Sequence, residues 1–182
     1  YMTRPFTVLG INHGGHDTSA ALMQDGELVA ACEQERYTLD KHSRLFPIEA
    51  IQACFERAGI RQVEVDEIAF AFQPLYHIRE AYLRPALTDA DRIGTLIQDI
   101  NRIDETYSTE TQIREKTGFV GNIEYYHHHH CHLASTWYPS GFDEALVVSY
   151  DGIGEIETGL MAIGRKGSLD VFHEGSRYPD SL

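Results

Sequence analysis

The chain has 182 residues, 42% of them hydrophobic and 24% charged, and a formal net charge of -13. That length supports one domain with a core, or one domain and part of another, of ordinary globular composition. The acid excess argues against a nucleic-acid backbone as the main partner, no stretch has the length and apolarity of a membrane span, and a nucleotide needs only a local electropositive pocket.

Phe6 to Asn12 is a short apolar run that predicts a buried strand leading into a loop of glycine and histidine. Ser19 to Gln24 and Glu27 to Cys32 predict two further strands, joined by Asp25-Gly26 as a tight hairpin. Pro47 to Ala58 has helical periodicity, with Ile48, Ile51, Cys54 and Phe55 on one face, Pro47 in the first turn and Gly59 as the stop. Val65 to Phe72 reads as a strand. Thr88 to Lys116 reads as one long helix with an apolar stripe of Ile93, Leu96, Ile97, Ile100 and Ile103, ended by Gly118. Gly121 to Tyr126 predicts a strand, and His130 to Tyr138 a short helix that stops before Pro139. Ala145 to Tyr150 predicts a buried strand delivering Asp151-Gly152, and Thr158 to Gly164 with Ser168 to His173 a hairpin around Lys166-Gly167.

Three cysteines, Cys32, Cys54 and Cys131, are widely spaced and form no CxxC pair, against a disulfide framework or zinc ribbon. The first residues lack a secretory leader pattern, and a reducing, cytoplasmic setting is the expectation.

Three segments contain groups that do chemistry. The run His127-His128-His129-His130-Cys131-His132 places His128 and His132 four apart. On a helix both imidazoles then share a face, a spacing suited to gripping one zinc, iron or nickel ion. Read alone, the pair is better explained as a helix start with solvated or core histidines. Asp151, at a strand end beside Gly152 and Gly154, is placed either to touch a ligand or to form an Asp-Gly turn.

The second segment is Asn12-His13-Gly14-Gly15-His16-Asp17-Thr18-Ser19. Gly14 and Gly15 let backbone N–H groups approach an anion, Ser19 or Thr18 can donate to a phosphate, and the alternative is a plain turn. The third, Glu33 to Tyr37 and Lys41 to Arg44, supplies Lys41 and Arg44 as cations that could hold a carbamoyl or phosphoryl group, or a mixed-charge solvated face.

In combination these stretches resemble the carbamoyltransferase family of nodulation protein U and the antibiotic O-carbamoyltransferases of cephem and tobramycin type. The resemblance rests on LGINHGGHDTSAALMQDGELVAACEQERYTLDKHSRLFP (Leu9 to Pro47), HHHCHLASTWYPSGFDEALVVSYDGIGE (His128 to Glu155) and SRYPDSL (Ser176 to Leu182). The family pattern His-His-x-x-His, Tyr-Pro-Ser and Asp-Gly-x-Gly-Glu is met at His128 to His132, Tyr138 to Ser140 and Asp151 to Glu155.

The resemblance implies an α/β, actin/hexokinase-like fold in which two ribonuclease-H-like subdomains, each a mixed sheet with flanking helices, enclose ATP or its adenylate. Residues 1–144 would be the first subdomain and residues 145–182 an incomplete start of the second. His128, His132 and Asp151 would hold a divalent metal, iron or zinc, with a further aspartate expected beyond Leu182. Cys131 would either join that metal or pack. Gly14, Gly15, Ser19, Gly152 and Gly154 would face ATP/Mg phosphates. A YrdC-like domain, expected elsewhere in the protein, would form carbamoyladenylate from carbamoyl phosphate and ATP. The carbamoyl group would then pass to a small-molecule hydroxyl acceptor, in natural-product or nodulation-factor modification. His16 is the candidate base, His13 the second, and Lys41 would orient carbamoyl or phosphate oxygens. By itself the chain is expected to lack transfer activity. The rivals are a metal- or nucleotide-binding module without transfer, and a His/Asp metallohydrolase. The latter is disfavoured because no acid/base carboxylate lies between His128 and His132.

Overall fold

A computed structural model describes residues 4–172 and 175–177. The chain opens with strands β1 (Thr7–Asn12), β2 (Ser19–Gln24) and β3 (Glu27–Glu33). They form an antiparallel meander. Asp25 and Gly26 both have positive φ, 48° and 85°, the backbone of a tight hairpin whose twist matches its strands. A short helix α1 (Glu35–Thr38) precedes α2 (Ile48–Ala58), which Gly59 stops in the left-handed conformation at φ 66°. Strand β4 is Glu67–Phe70.

The next stretch departs most from expectation. Helix α3 (Pro74–His77), a π-helical turn (Ile78–Leu83) and α4 (Arg84–Thr88) occupy a region with no predicted element. The long helix expected over Thr88 to Lys116 is instead α5 (Arg92–Gln98), α6 (Ile100–Tyr107) and α7 (Thr109–Thr117). Asp89 is extended, and Asp99 and Ser108 leave helical geometry at the two later breaks. Short polar residues compete with the helical backbone through their own hydrogen bonds: Asp89 Oδ1 accepts the Asp91 N–H at 3.0 Å, and Ser108 Oγ donates to the Glu105 carbonyl at 3.0 Å. The expected stripe is not a core face: Ile93, Ile97 and Ile100 are about half exposed or more.

Strand β5 (Asn122–Tyr125) leads to α8 (His128–Trp137), which begins two residues before the helix read from periodicity. Strands β6 (Glu144–Tyr150), β7 (Glu157–Arg165), β8 (Ser168–Val171) and β9 (Ser176–Arg177) complete the described chain. His173 of the expected hairpin and Tyr178 to Leu182 of the terminal motif lie outside the described residues.

By contacts the chain forms two compact units, residues 1–72 with 104–125 and residues 73–103 with 126–182. The division after Tyr125 precedes the 144/145 division suggested by the resemblance, because α8 packs on the second sheet. The first unit holds a sheet of order β3-β2-β1-β4-β5, with β4 and β5 parallel to β1. This mixed order is the ribonuclease-H-like arrangement. Leu9, Ile11, Leu22, Ile68 and Phe70 of the sheet pack with Ile51, Cys54 and Phe55 of α2 and Ile113 of α7. Burying each such side chain contributes about 1.5–3 kcal/mol.

In the second unit, Leu133 and Trp137 of α8 pack against Val147, Leu160 and Ala162 of an antiparallel sheet. A Cβ at Gly164 would come within 2.4 Å of the Trp137 ring, so glycine gives the indole its seat. Strand β6 is buried on one face only: Val147 and Ser149 point inward, while Leu146, Val148 and Tyr150 are exposed. The fully buried strand expected here is thus half-covered, with α8 on one side.

Candidate metal centre

The first two turns of α8 and the loop after β6 build the centre together. Asp151 N–H donates to the Thr158 carbonyl at 3.0 Å and Gly154 N–H to the Glu157 carbonyl at 2.7 Å, closing the loop between β6 and β7. Gly152 N–H donates to Asp151 Oδ1 at 2.6 Å and fixes the carboxylate plane. Gly154 lets the loop lie against the helix: a Cβ there would sit 3.1 Å from His128 Cβ and 3.1 Å from His129 Cδ2. Glu155, 1% exposed, anchors the same loop beneath the helix N-terminus. Its Oε1 accepts the N–H of Gln73 at 2.8 Å and that of His128 at 3.2 Å.

On this frame three donor atoms converge. His128 Nε2 lies 2.9 Å from Asp151 Oδ2 and 2.9 Å from His132 Nε2, and His132 Nε2 lies 3.4 Å from Asp151 Oδ2. The imidazoles stand nearly perpendicular, 89° between planes. Without a metal, a proton on one Nε2 bridges these groups; with that proton displaced, the lone pairs of both imidazoles and the carboxylate face one region. Two imidazoles and a carboxylate suit zinc or iron, so the residues fit the divalent ion implied by the resemblance. Burial raises the Asp151 pKa, but hydrogen bonds from His128, Gly152 and His132 outweigh it and hold the group below its ordinary value, as a carboxylate ligand requires.

The remaining histidines of the run do other work. His129 is 2% exposed, with Nδ1 2.8 Å from Ser149 Oγ and Nε2 3.0 Å from the Glu157 carbonyl. Burial lowers its pKa, so it is a neutral core imidazole that ties α8 to the sheet. His127 packs edge-on to Tyr76 and lies with Glu155 and Glu157 beside a cleft of about 370 Å³. Cys131 does not join the His128–His132–Asp151 group; burial, with Glu155 nearby, pushes its thiol up to about 11. Cys54, also buried, is pushed up to about 12.

The other predicted residues belong to the first unit. Gly14 and Gly15 lie in the β1–β2 loop with open space around their Cα atoms, and Gly14 has φ 109°. Ser19 opens β2. His13 turns inward, edge-on to Phe46 at 5.2 Å, and burial lowers its pKa. His16 is exposed at the loop tip. Its Nδ1 is 2.6 Å from Asp17 Oδ2, while His42 Nδ1 is 2.8 Å from Asp17 Oδ1. Exposed Lys41 adjoins His42 in sequence. Sequence reasoning missed Asp17 and His42 as partners of His16. No local sequence signal pairs them; in the structure both hold left-handed backbone, φ 58° and 57°, a region in which aspartate and histidine are over-represented.

The carbamoyltransferase N-terminus family matches residues 7–182. An uncharacterized protein of Synechocystis sp. is 35% identical over 185 residues, covering 96% of this chain and 30% of the relative. Nodulation protein NolNO of Sinorhizobium fredii is 31% identical over 164 residues, covering 82% of this chain and 21% of the relative. The chain thus spans less than a third of the length of these relatives. Its fold is similar to that of YeaZ from Pseudomonas aeruginosa, with a TM-score of 0.53 at 12% identity, over 96% of this chain and 68% of that one. The likeness to YeaZ is one of fold, and that fold is actin/hexokinase-like, as the sequence implied. From the family match and the NolNO relationship, the chain belongs to the carbamoyltransferase N-terminus family.

Proposed function

We propose that this chain is the N-terminal part of an ATP-dependent O-carbamoyltransferase acting in natural-product or nodulation-factor modification in the cytoplasm. In this reading a YrdC-like domain of the same protein turns carbamoyl phosphate, water and ATP into carbamoyladenylate, phosphate and pyrophosphate, and the carbamoyl group passes to a hydroxyl of a small acceptor. The observation that carries the reading is the convergence of His128, His132 and Asp151 in a chain of this family.

His128, His132 and Asp151 would hold iron or zinc. Bound there, a divalent ion supplies Lewis-acid stabilisation of negative charge on a phosphate or acceptor oxygen. The remaining roles fall to the chain's own groups. In the first unit, backbone N–H groups at Gly14 and Gly15 and the Ser19 hydroxyl would receive phosphates of ATP/Mg; in the second, the loop at Gly152 and Gly154 would do so. The Lys41 ammonium orients a phosphate or carbamoyl oxygen as a point charge. His16 takes the acceptor hydroxyl proton as the acceptor oxygen bonds to the carbamoyl carbon. The bond from that carbon to the adenylate oxygen breaks, and AMP leaves with the electron pair.

The test is an assay of the full-length protein with ATP, carbamoyl phosphate labelled in the carbamoyl group and a panel of polyhydroxylated acceptors. The reading expects ATP-dependent label transfer that falls about 100-fold or more in Asp151→Asn. Transfer that ignores ATP, or is equal in Asp151→Asn, would overturn it.

A further inference from the structure

We propose that Asp17 and His42 are positioning residues for His16, forming a carboxylate-linked pair of imidazoles that presents His16 Nε2 as the proton acceptor. This rests on the reading of His16 as the base. It goes beyond that reading by assigning its orientation to two residues from separate segments.

Asp17 offers one carboxylate oxygen to each ring: His16 Nδ1 lies 2.6 Å from Oδ2 and His42 Nδ1 2.8 Å from Oδ1. The two rings meet edge to face, 5.9 Å between centroids. A carboxylate is an acceptor, so each Nδ1 facing it is the N–H nitrogen. Both neutral imidazoles are then fixed in the form whose lone pair is on Nε2. A base needs that lone pair free and aimed outward, and His16 and His42 are both exposed. The hydrogen bonds from His42 and His16 also hold the Asp17 carboxyl below its ordinary value, which keeps both oxygens available as acceptors.

The surrounding backbone imposes this arrangement. Thr18, 0% exposed, clamps the second segment to the first: its N–H donates to the Ser43 carbonyl at 3.3 Å and its hydroxyl to the Leu45 carbonyl at 2.7 Å. His42 N–H donates to Glu35 Oε2 at 3.0 Å, and Asn12 Nδ2 to the Asp17 carbonyl at 3.1 Å. Asp17 and His42 both hold left-handed backbone, a conformation that persists in such residues where surrounding contacts over-determine it. During transfer the proton comes to His16 Nε2. The Nδ1 proton stays on the ring, where Asp17 stabilises the imidazolium without being protonated.

The direct experiment reads imidazole tautomers by two-bond proton–nitrogen correlation on this 182-residue chain above neutral pH. Both His16 and His42 are expected to show N–H-type Nδ1 and lone-pair-type Nε2, the form disfavoured in an unconstrained histidine. In Asp17→Asn, which tolerates left-handed backbone but has only one acceptor oxygen, at least one ring is expected to lose that form. An Nε2–H tautomer on either ring in the unaltered chain overturns the proposal, whether or not the variant folds. Unchanged tautomers in Asp17→Asn overturn it too. Added zinc that shifts Nδ1 of both rings also overturns it, because the trio is then a metal site. In the full-length protein, Asp17→Asn should lower carbamoyl transfer on the order of 10³-fold. If the tautomers are as expected but His16→Gln leaves transfer unchanged, the assignment of His16 as base has failed while the hydrogen-bonded arrangement stands.

Discussion

Glu155 Oε1 accepts the backbone N–H of His128 at 3.2 Å, so the loop that positions Asp151 also caps the helix that carries both histidines. The carboxylate is 1% exposed and takes the Gln73 N–H at 2.8 Å as well. A negative group at a helix N-terminus satisfies orphan donors and complements the helix dipole. One buried side chain therefore sets the distance between helix and loop. Glu155→Ala should cost about 2–3 kcal/mol by urea unfolding, because two buried N–H groups lose their acceptor. Glu155→Gln keeps an acceptor oxygen and should cost about 1 kcal/mol. Equal losses in the two variants would show that the negative charge, which both remove, carries the effect rather than the accepted hydrogen bonds.

The two glycines after Asp151 should differ sharply. A Cβ at Gly154 meets His128 and His129 at 3.1 Å, whereas one at Gly152 meets nothing within 4 Å. Gly154→Ala should destabilise by about 1–3 kcal/mol and weaken zinc binding by moving the loop off α8. Gly152→Ala should stay within about 0.5 kcal/mol of the unaltered chain. Urea unfolding with a zinc isotherm on each variant checks both, and a reversed order would remove Gly154 from the frame of the site.

Stability should fall on mild acidification. His77 is pushed below its ordinary pKa by burial, which outweighs the opposing hydrogen bond to the Glu155 carbonyl, 2.7 Å from Nδ1. Above about pH 6.5 the ring is neutral whether folded or unfolded. As pH falls through that value the unfolded chain protonates first, so unfolding takes up a proton and native stability drops until the folded ring protonates too. The urea midpoint should therefore decline from about pH 7 to about pH 5, less steeply in His77→Gln. His13 has the same sign of shift, so some slope should remain. An unchanged slope in His77→Gln would contradict this assignment.

The first sheet was legible because its signals are local. The Asp25-Gly26 turn, the Pro47 to Gly59 helix limits and the short apolar run of β1 each depend on a few adjacent residues. The end of β6 was legible for the same reason, and it delivers Asp151 where a ligand would be placed. The segment from residue 74 to 117 was not legible, because apolar periodicity alone cannot show that Asp89, Asp99 and Ser108 interrupt the helix. In the site, the i, i+4 spacing singled out His128 and His132, whose ring nitrogens the structure brings to 2.9 Å of each other. Periodicity could not reveal that His129 would be taken by Ser149 and Glu157, or Asp17 by His42, because those partnerships depend on tertiary packing.

The central claim is that His128, His132 and Asp151 form one metal centre. Its most direct test is zinc bound per chain after equilibrium dialysis, comparing the unaltered chain, His128→Ala/His132→Ala and His127→Ala/His130→Ala. The account predicts that the first double variant loses one equivalent, with affinity at the site down more than about 100-fold, while the second keeps it. Zinc content as high in His128→Ala/His132→Ala as in the unaltered chain would contradict it.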